Sequence, residues 1–136
     1  MNNTSNNCPC CSGNSFANCC EPLLTGAFQA TTAEQLMRSR YTAYASDAIA
    51  YILNTTHPST RNFYNAASIK EWAESSTWQK LEIVSTEKGT EADVIGYVQF
   101  KAYFLDEKMK PQMHHEYSTF KKVDERWYFV EEKILA

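Results

Sequence analysis

The sequence predicts an α+β fold in which a curved four-stranded antiparallel sheet packs on three helices that precede it, with a small cysteine-bearing knuckle ahead of both. Three observations carry that prediction. Residues 31–76 hold helix-capping signatures and apolar residues at helical spacing. From residue 77 onward the apolar period changes to two, in four runs divided by short turn signals. All five cysteines lie between positions 8 and 20 of the 136-residue chain.

With 43% hydrophobic and 13% aromatic residues, the chain can bury a core without disulfides. It divides into residues 1–27, a knuckle and its tether, and residues 28–136, the α+β domain. The Asn-rich opening Met1–Asn7 is polar and uncharged, and no apolar run reaches the ~20 residues of a membrane helix. A cytoplasmic protein without a membrane partner is expected. The net charge is −3, and the basic residues are scattered rather than gathered into a stripe. That argues against a nucleic-acid partner, which needs concentrated positive charge to displace counterions.

The first element is Cys8-Pro-Cys10-Cys-Ser-Gly-Asn-Ser-Phe-Ala-Asn-Cys19-Cys20. Two close cysteine pairs flank a turn-forming loop, and crowding plus an odd count favour metal ligation over a disulfide framework. Zinc takes four thiolates in a tetrahedron with Zn–S near ~2.3 Å, so Cys8, Cys10, Cys19 and Cys20 are the expected ligands and zinc the expected cofactor. Gly13 permits positive φ, loop amides can point at the sulfurs, and Phe16 can cover the site. Metal binding is expected to fold this segment, which has too few apolar residues for a core of its own. The competing reading is an oxidisable cysteine cluster, disfavoured by the strain of a disulfide between the adjacent Cys19 and Cys20.

The pattern resembles the SEC-C motif, Cys-x-Cys followed by a Gly/Ser-rich turn and Cys-Cys or Cys-His, which in the translocase ATPase SecA binds zinc and docks partner proteins. Cys11 stands where that motif has glycine. If the position needs positive φ, cysteine costs about 1 kcal/mol there.

Residues 21–30 contain Pro22 and Gly26 without periodicity and read as a tether packed on the main domain. Thr31 and Thr32 each stand three residues before Glu34 or Gln35, the capping-box spacing, and Leu36, Met37, Arg40, Tyr41 and Tyr44 follow at helical intervals. Ser46-Asp47 is expected to cap a second helix through Ala48, Tyr51 and Ile52, limited by Pro58. Ser68-Ile-Lys-Glu71 is expected to cap a third, with Ile69, Trp72 and Ala73 on one side. Strands are expected over Gln79–Thr86, Asp93–Leu105, Gln112–Val123 and Trp127–Ile134, joined at Lys88-Gly89, Asp106–Pro111 and Asp124-Glu125. Short connections make an antiparallel meander with one face left for the helices.

Helices first and a four-stranded meander afterwards is similar to the cone-shaped nuclear-transport-factor-2-like fold. More specifically, the strings Leu36-Met-Arg-Ser-Arg-Tyr-Thr-Ala-Tyr44, His57-Pro-Ser-Thr-Arg61, His115-Glu-Tyr-Ser-Thr-Phe120 and Trp127-Tyr128 resemble the YchJ family. That family joins a SEC-C segment to a nuclear-transport-factor-2-like domain, and the resemblance covers nearly everything from Cys8 onward. It implies a fold and a metal but no biochemical activity. Some relatives carry a second cysteine knuckle near the C-terminus; residues 21–136 contain no cysteine.

Several polar residues fall on faces expected to be buried. Arg40 shares the helix face of Leu36 and Tyr44, and His114, Glu116, Ser118 and Phe120 share one strand face. Two readings stay open: an ion pair joining Arg40 or Arg38 to Glu116, or a small-molecule pocket lined by Arg40, Tyr44, His57, Arg61, Glu116 and Ser118. His57 is either a general base or a helix stop. A second metal at His114-His115-Glu116 is disfavoured because neighbouring strand residues face opposite ways. Trp72, Trp78, Tyr97, Phe100, Tyr103, Phe104, Trp127 and Phe129 are expected in the core.

The preferred function is a protein-interaction or small-ligand-binding module, in which the zinc knuckle presents a surface to a protein partner and the main domain supplies scaffold or ligand specificity. The alternatives are an isomerase- or hydrolase-type enzyme using His57 or Glu116, and a redox sensor centred on Cys11.

Overall fold

A computed structural model describes residues 7–135; the rest of the Asn-rich opening and Ala136 lie outside the described residues. The helices are α1 (Glu21–Leu24), α2 (Ala33–Ala45), α3 (Ile49–Asn54) and α4 (Ala66–Ser75). The strands are β1 (Thr77–Lys88), β2 (Ile95–Leu105), β3 (Pro111–Val123) and β4 (Arg126–Ile134). The strands pair antiparallel in chain order, β1-β2-β3-β4.

Three helices against a four-stranded meander match the expected class, and the strand bounds move by at most two residues. The helix starts moved where capping patterns misled. Ser46 and Asp47 do not cap α3: Ser46 ends α2, and Asp47 turns the chain at φ +60°. Ala48 stands at the α3 N-cap without a side-chain bond. Asn65, not Ser68, caps α4 by accepting from the Ser68 amide at 3.1 Å. Thr32 caps α2 as expected, accepting from the Gln35 amide at 3.1 Å. Residues 21–24, expected as part of a tether, form one helical turn.

α2 is the central helix and packs against α3, β1, β2 and β4. Its start sits so close to the β1–β2 turn that a methyl on Gly96 would fall 2.9 Å from Ala33 Cβ and 2.4 Å from Gly89 Cα. Both glycines are therefore demanded by helix approach.

Alternate residues of the sheet face the helices. Val98, Phe100 and Ala102 on β2 and Phe120 on β3 are buried there with Trp127 and Phe129 of β4. Tyr97 and Tyr103, expected in the core, lie on the opposite face instead: Tyr97 stacks on Tyr117, and Tyr103 bonds Glu82. The interior is continuous with the knuckle, because Cys8, Cys10 and Cys20 belong to the same buried cluster as Leu36, Tyr41 and Trp127.

One irregularity shapes β4. Thr119 pairs with Glu131 but Phe120 pairs with Phe129, leaving Val130 as an extra residue. This bulge shifts the alternation by one, so that Glu132 and Ile134 follow Phe129 onto the helix-facing side. The segment after α3 clamps it: His57 N donates to Phe129 O at 2.7 Å, Phe129 N to Thr55 O at 2.8 Å, and Thr60 Oγ1 to Val130 O at 2.6 Å.

Candidate metal centre and ligand cavity

The cysteine segment closes on itself through backbone bonds. Cys8 N donates to Asn14 O at 2.9 Å and Cys11 N to Cys8 O at 3.1 Å. Cys11 and Gly13 supply the positive φ values that the turn requires, +65° and +92°. The resulting loop brings the Sγ atoms of Cys8, Cys10, Cys19 and Cys20 within 4.8 Å of one another. Cys10–Cys19 and Cys19–Cys20 sulfurs stand 3.6 Å and 3.9 Å apart. A tetrahedron with metal–sulfur bonds of ~2.3 Å has edges of about 3.8 Å, so the four thiols could hold a metal ion with little rearrangement.

The protonation pattern points the same way. Hydrogen bonds from the Cys10 and Cys20 thiols hold the Cys8 thiol far below the ordinary thiol range. Hydrogen bonds to Cys10 and then Cys8, together with burial, push the Cys20 thiol far up. Loss of solvent pushes Cys19 up to about 11. A cluster that accepts one negative charge thus resists the next, and a cation among the sulfurs removes that resistance.

The Cys10 backbone adds to the lowering of the Cys8 thiol pKa. Hydroxyls are the addition that sequence reasoning missed. Ser12 Oγ lies 3.2 Å from Cys19 Sγ, and Thr42 of α2 donates to Cys20 Sγ at 3.3 Å and stands 3.7 Å from Cys8 Sγ. Arg38 anchors the loop by donating from Nη1 to Cys10 O at 2.7 Å. Cys11 is exposed and its thiol donates to Pro9 O, away from the other four.

On the far side of α2 the sheet and helices enclose a cavity of about 340 Å³. Arg40, Tyr44 and Glu116 line it; His57, Arg61 and Ser118 are not among its walls. His57 Nδ1 accepts from Ser59 N at 3.0 Å, and Arg61 donates to Thr56 O at 2.8 Å from Nη2. Ser118 lies behind the wall, donating to Glu116 Oε2.

The expected ion pair of Arg40 or Arg38 with Glu116 is not formed. Arg40 Nη1 donates to Ile52 O at 2.8 Å and Thr55 Oγ1 at 2.7 Å, and its guanidinium lies 4.4 Å from the Phe129 ring centre. Carbonyl and hydroxyl oxygens at the end of α3 occupy Nη1, and the ring of Phe129 faces the guanidinium, so helix-end dipoles and a π face stand where a carboxylate was expected. Arg38 pairs with Glu34 at 3.0 Å. Glu116 takes His114 Nε2 instead, at 2.7 Å.

Trp72 and Trp78, expected in the core, are part-exposed walls of the cavity, with ring centres 5.2 Å apart. Tyr64 and Glu132, both unanticipated, complete the site, with Tyr64 Oη donating to Glu132 Oε2 at 3.3 Å. The bulge that brings Glu132 inward breaks the period on which a strand reading depends, which is why it escaped notice.

Known proteins resemble this chain over nearly its whole length. Residues 32–132 match the family described as YchJ, middle NTF2-like domain. A UPF0225 protein of Geobacter sulfurreducens is 52% identical over 126 residues, covering 93% of this chain and 78% of the relative. One from Haemophilus influenzae is 46% identical over 129 residues, covering 94% and 78%. The solution structure of a SEC-C motif containing protein from Rhodopseudomonas palustris superposes with a TM-score of 0.86 at 36% identity, covering 95% of this chain and 98% of that one. A crystal structure of a SEC-C motif containing protein from Psychrobacter arcticus gives 0.78 at 31%, covering 95% and 82%. Among the described residues no helix is long and apolar enough to cross a membrane.

Proposed function

The chain belongs to the YchJ family, and from that premise we propose that it is a zinc-stabilised binding module. Cys8, Cys10, Cys19 and Cys20 hold one zinc ion, and the cavity between sheet and helices holds a small molecule. The observation that carries the metal assignment is the sulfur geometry, four thiols within 4.8 Å with three of them buried. Soft thiolates select against hard cations, and a closed four-sulfur set leaves no position for substrate, so the ion's role is structural.

Elemental analysis of reduced protein should return one zinc per chain, and none from a Cys19→Ser/Cys20→Ser variant. Stoichiometric loading with a different metal, or an ordered knuckle in metal-free protein, would overturn the assignment. The outer loop, with Pro9, Cys11, Gly13 and Asn14 exposed, offers a protein partner a rigid surface. Pull-downs with wild type and the double variant that recover identical partners would remove that role.

One observation favours a second reading, an enzyme of isomerase or hydrolase type. His114 and Glu116 form a 2.7 Å pair in the cavity wall, the arrangement of a proton donor–acceptor couple. His57, the other candidate base, bonds its own turn. Unchanged turnover in Glu116→Gln with any substrate found for the protein would end this reading.

A further inference from the structure

We infer that the cavity takes a small organic cation, an amine carrying an aromatic or branched apolar group, with its ammonium at Glu116 and Glu132 and its apolar part against Trp72 and Tyr44. This rests on the proposal that the cavity is a ligand site. Its volume of about 340 Å³ is at the lower end of the ~300–1,000 Å³ typical of small-molecule sites.

Charge selects the ligand's sign. Glu116 and Glu132 both line the cavity, and neither pairs with a lysine or arginine among the described residues. The cation nearby, Arg40, is committed by Nη1 to the end of α3 and by its face to Phe129. Arg40 thus supplies one guanidinium against the two carboxylates of Glu116 and Glu132. Glu116 has a partner at each oxygen, His114 and Ser118, whereas Glu132 Oε1 has no hydrogen-bond donor among the described residues. Glu132 stands exposed at the edge of the cavity, where partial loss of solvent, then the Glu116 charge, raises its pKa.

The β4 bulge places that carboxylate. It sets Glu132 directly across from Ser118 and diagonal to Glu116, where unbroken alternation would have turned it outward. The aromatic walls suit the same ligand, since ring faces attract an ammonium group. Tyr44 and Trp72 meet edge-on with centres 5.2 Å apart. At the mouth Phe63 is 81% exposed and Ile134 59%, apolar surface that an amine's hydrocarbon part would cover.

The test titrates isotope-labelled, metal-loaded protein with three probes of similar shape, phenethylammonium, 2-phenylethanol and phenylacetate, following amide signals of β3 and β4. Phenethylammonium should bind roughly tenfold or more tighter than the alcohol, the value of a charge-assisted contact, with phenylacetate weakest. Glu132→Gln should erase that advantage while leaving alcohol binding within about twofold. Equal or tighter binding of the alcohol or phenylacetate would overturn the cation assignment and leave the cavity a ligand site. If none of the three moves the cavity signals, the ligand-site reading falls as well. The wild-type comparison decides the sign of the ligand even if the variant fails to fold.

Discussion

Cys11 holds φ at +65°, a conformation that costs a side-chain-bearing residue about 1 kcal/mol relative to glycine. Its thiol faces away from the other four, so Cys11→Gly should raise stability by about that amount with metal content unchanged, as read by denaturant unfolding of loaded protein. Thr42→Val should do the reverse to the metal: losing the hydroxyl beside Cys20 and Cys8 should weaken affinity roughly 10–100-fold in chelator competition, and Thr42→Ser should restore it. Glu132 supplies a pH signature. Its pKa is raised, so the folded chain holds a proton there more tightly than the unfolded one, and the stabilisation present at acid pH is lost as pH rises through the folded value. Glu132→Gln should therefore unfold at higher temperature than wild type near neutrality, with the gap closing toward roughly pH 4. The groups facing this carboxylate are Arg40 from α2, Glu116 and His114 from β3, and Tyr64 ahead of α4. The four-cysteine cluster was legible because the spacing of its two close pairs is local in the chain. Thr42 was not, since it meets Cys20 across 22 positions and nothing in its own neighbourhood marks it.

Helix starts show how two local signals compete. Ser68-x-x-Glu71 has capping-box spacing, yet Asn65 has the extended backbone, φ −115° and ψ 126°, that an N-cap needs. Asn65→Ala should cost about 1 kcal/mol and Ser68→Ala less than about half of that, a comparison that thermal unfolding can make directly. Strand bounds were read more closely than helix starts because period two, once established, is interrupted only by turns. The exception is again the β4 bulge. The His57-Pro-Ser-Thr60 string, open between a base and a helix stop when read alone, has the further task of gripping that bulge through Phe129 O and Val130 O. Such a role depends on a partner strand about 70 residues away. α2 serves two sites at once: Thr42 and Arg40, two positions apart and thus about 200° around the helix, address the sulfurs and the cavity respectively.

The molecule as a whole joins its knuckle to its core rather than hanging it alongside. Cys8, Cys10 and Cys20 share a buried cluster with Leu36, Tyr41, Phe120 and Trp127, so removal of the metal should loosen more than the loop. Chelation should lower the melting temperature on the order of 10 °C or more, and amide exchange should rise in α2 as well as in residues 8–20. Retention of the wild-type melting curve after complete metal removal would show that the thiols alone suffice. The class of fold was readable because the order of periods fixes it; the shared interior was not, because it depends on which face of α2 the cysteine loop covers. The extra residue in β4 carries an evolutionary consequence. Deleting Val130 would rejoin the ladder in plain alternation with every pair kept, Glu132 and Ile134 still on the helix-facing side and Glu131 and Lys133 on the other. One codon can thus be lost here without changing which side chains of β4 border the cavity, a short mutational path by which descendants of this chain could straighten the strand and keep its acidic lining.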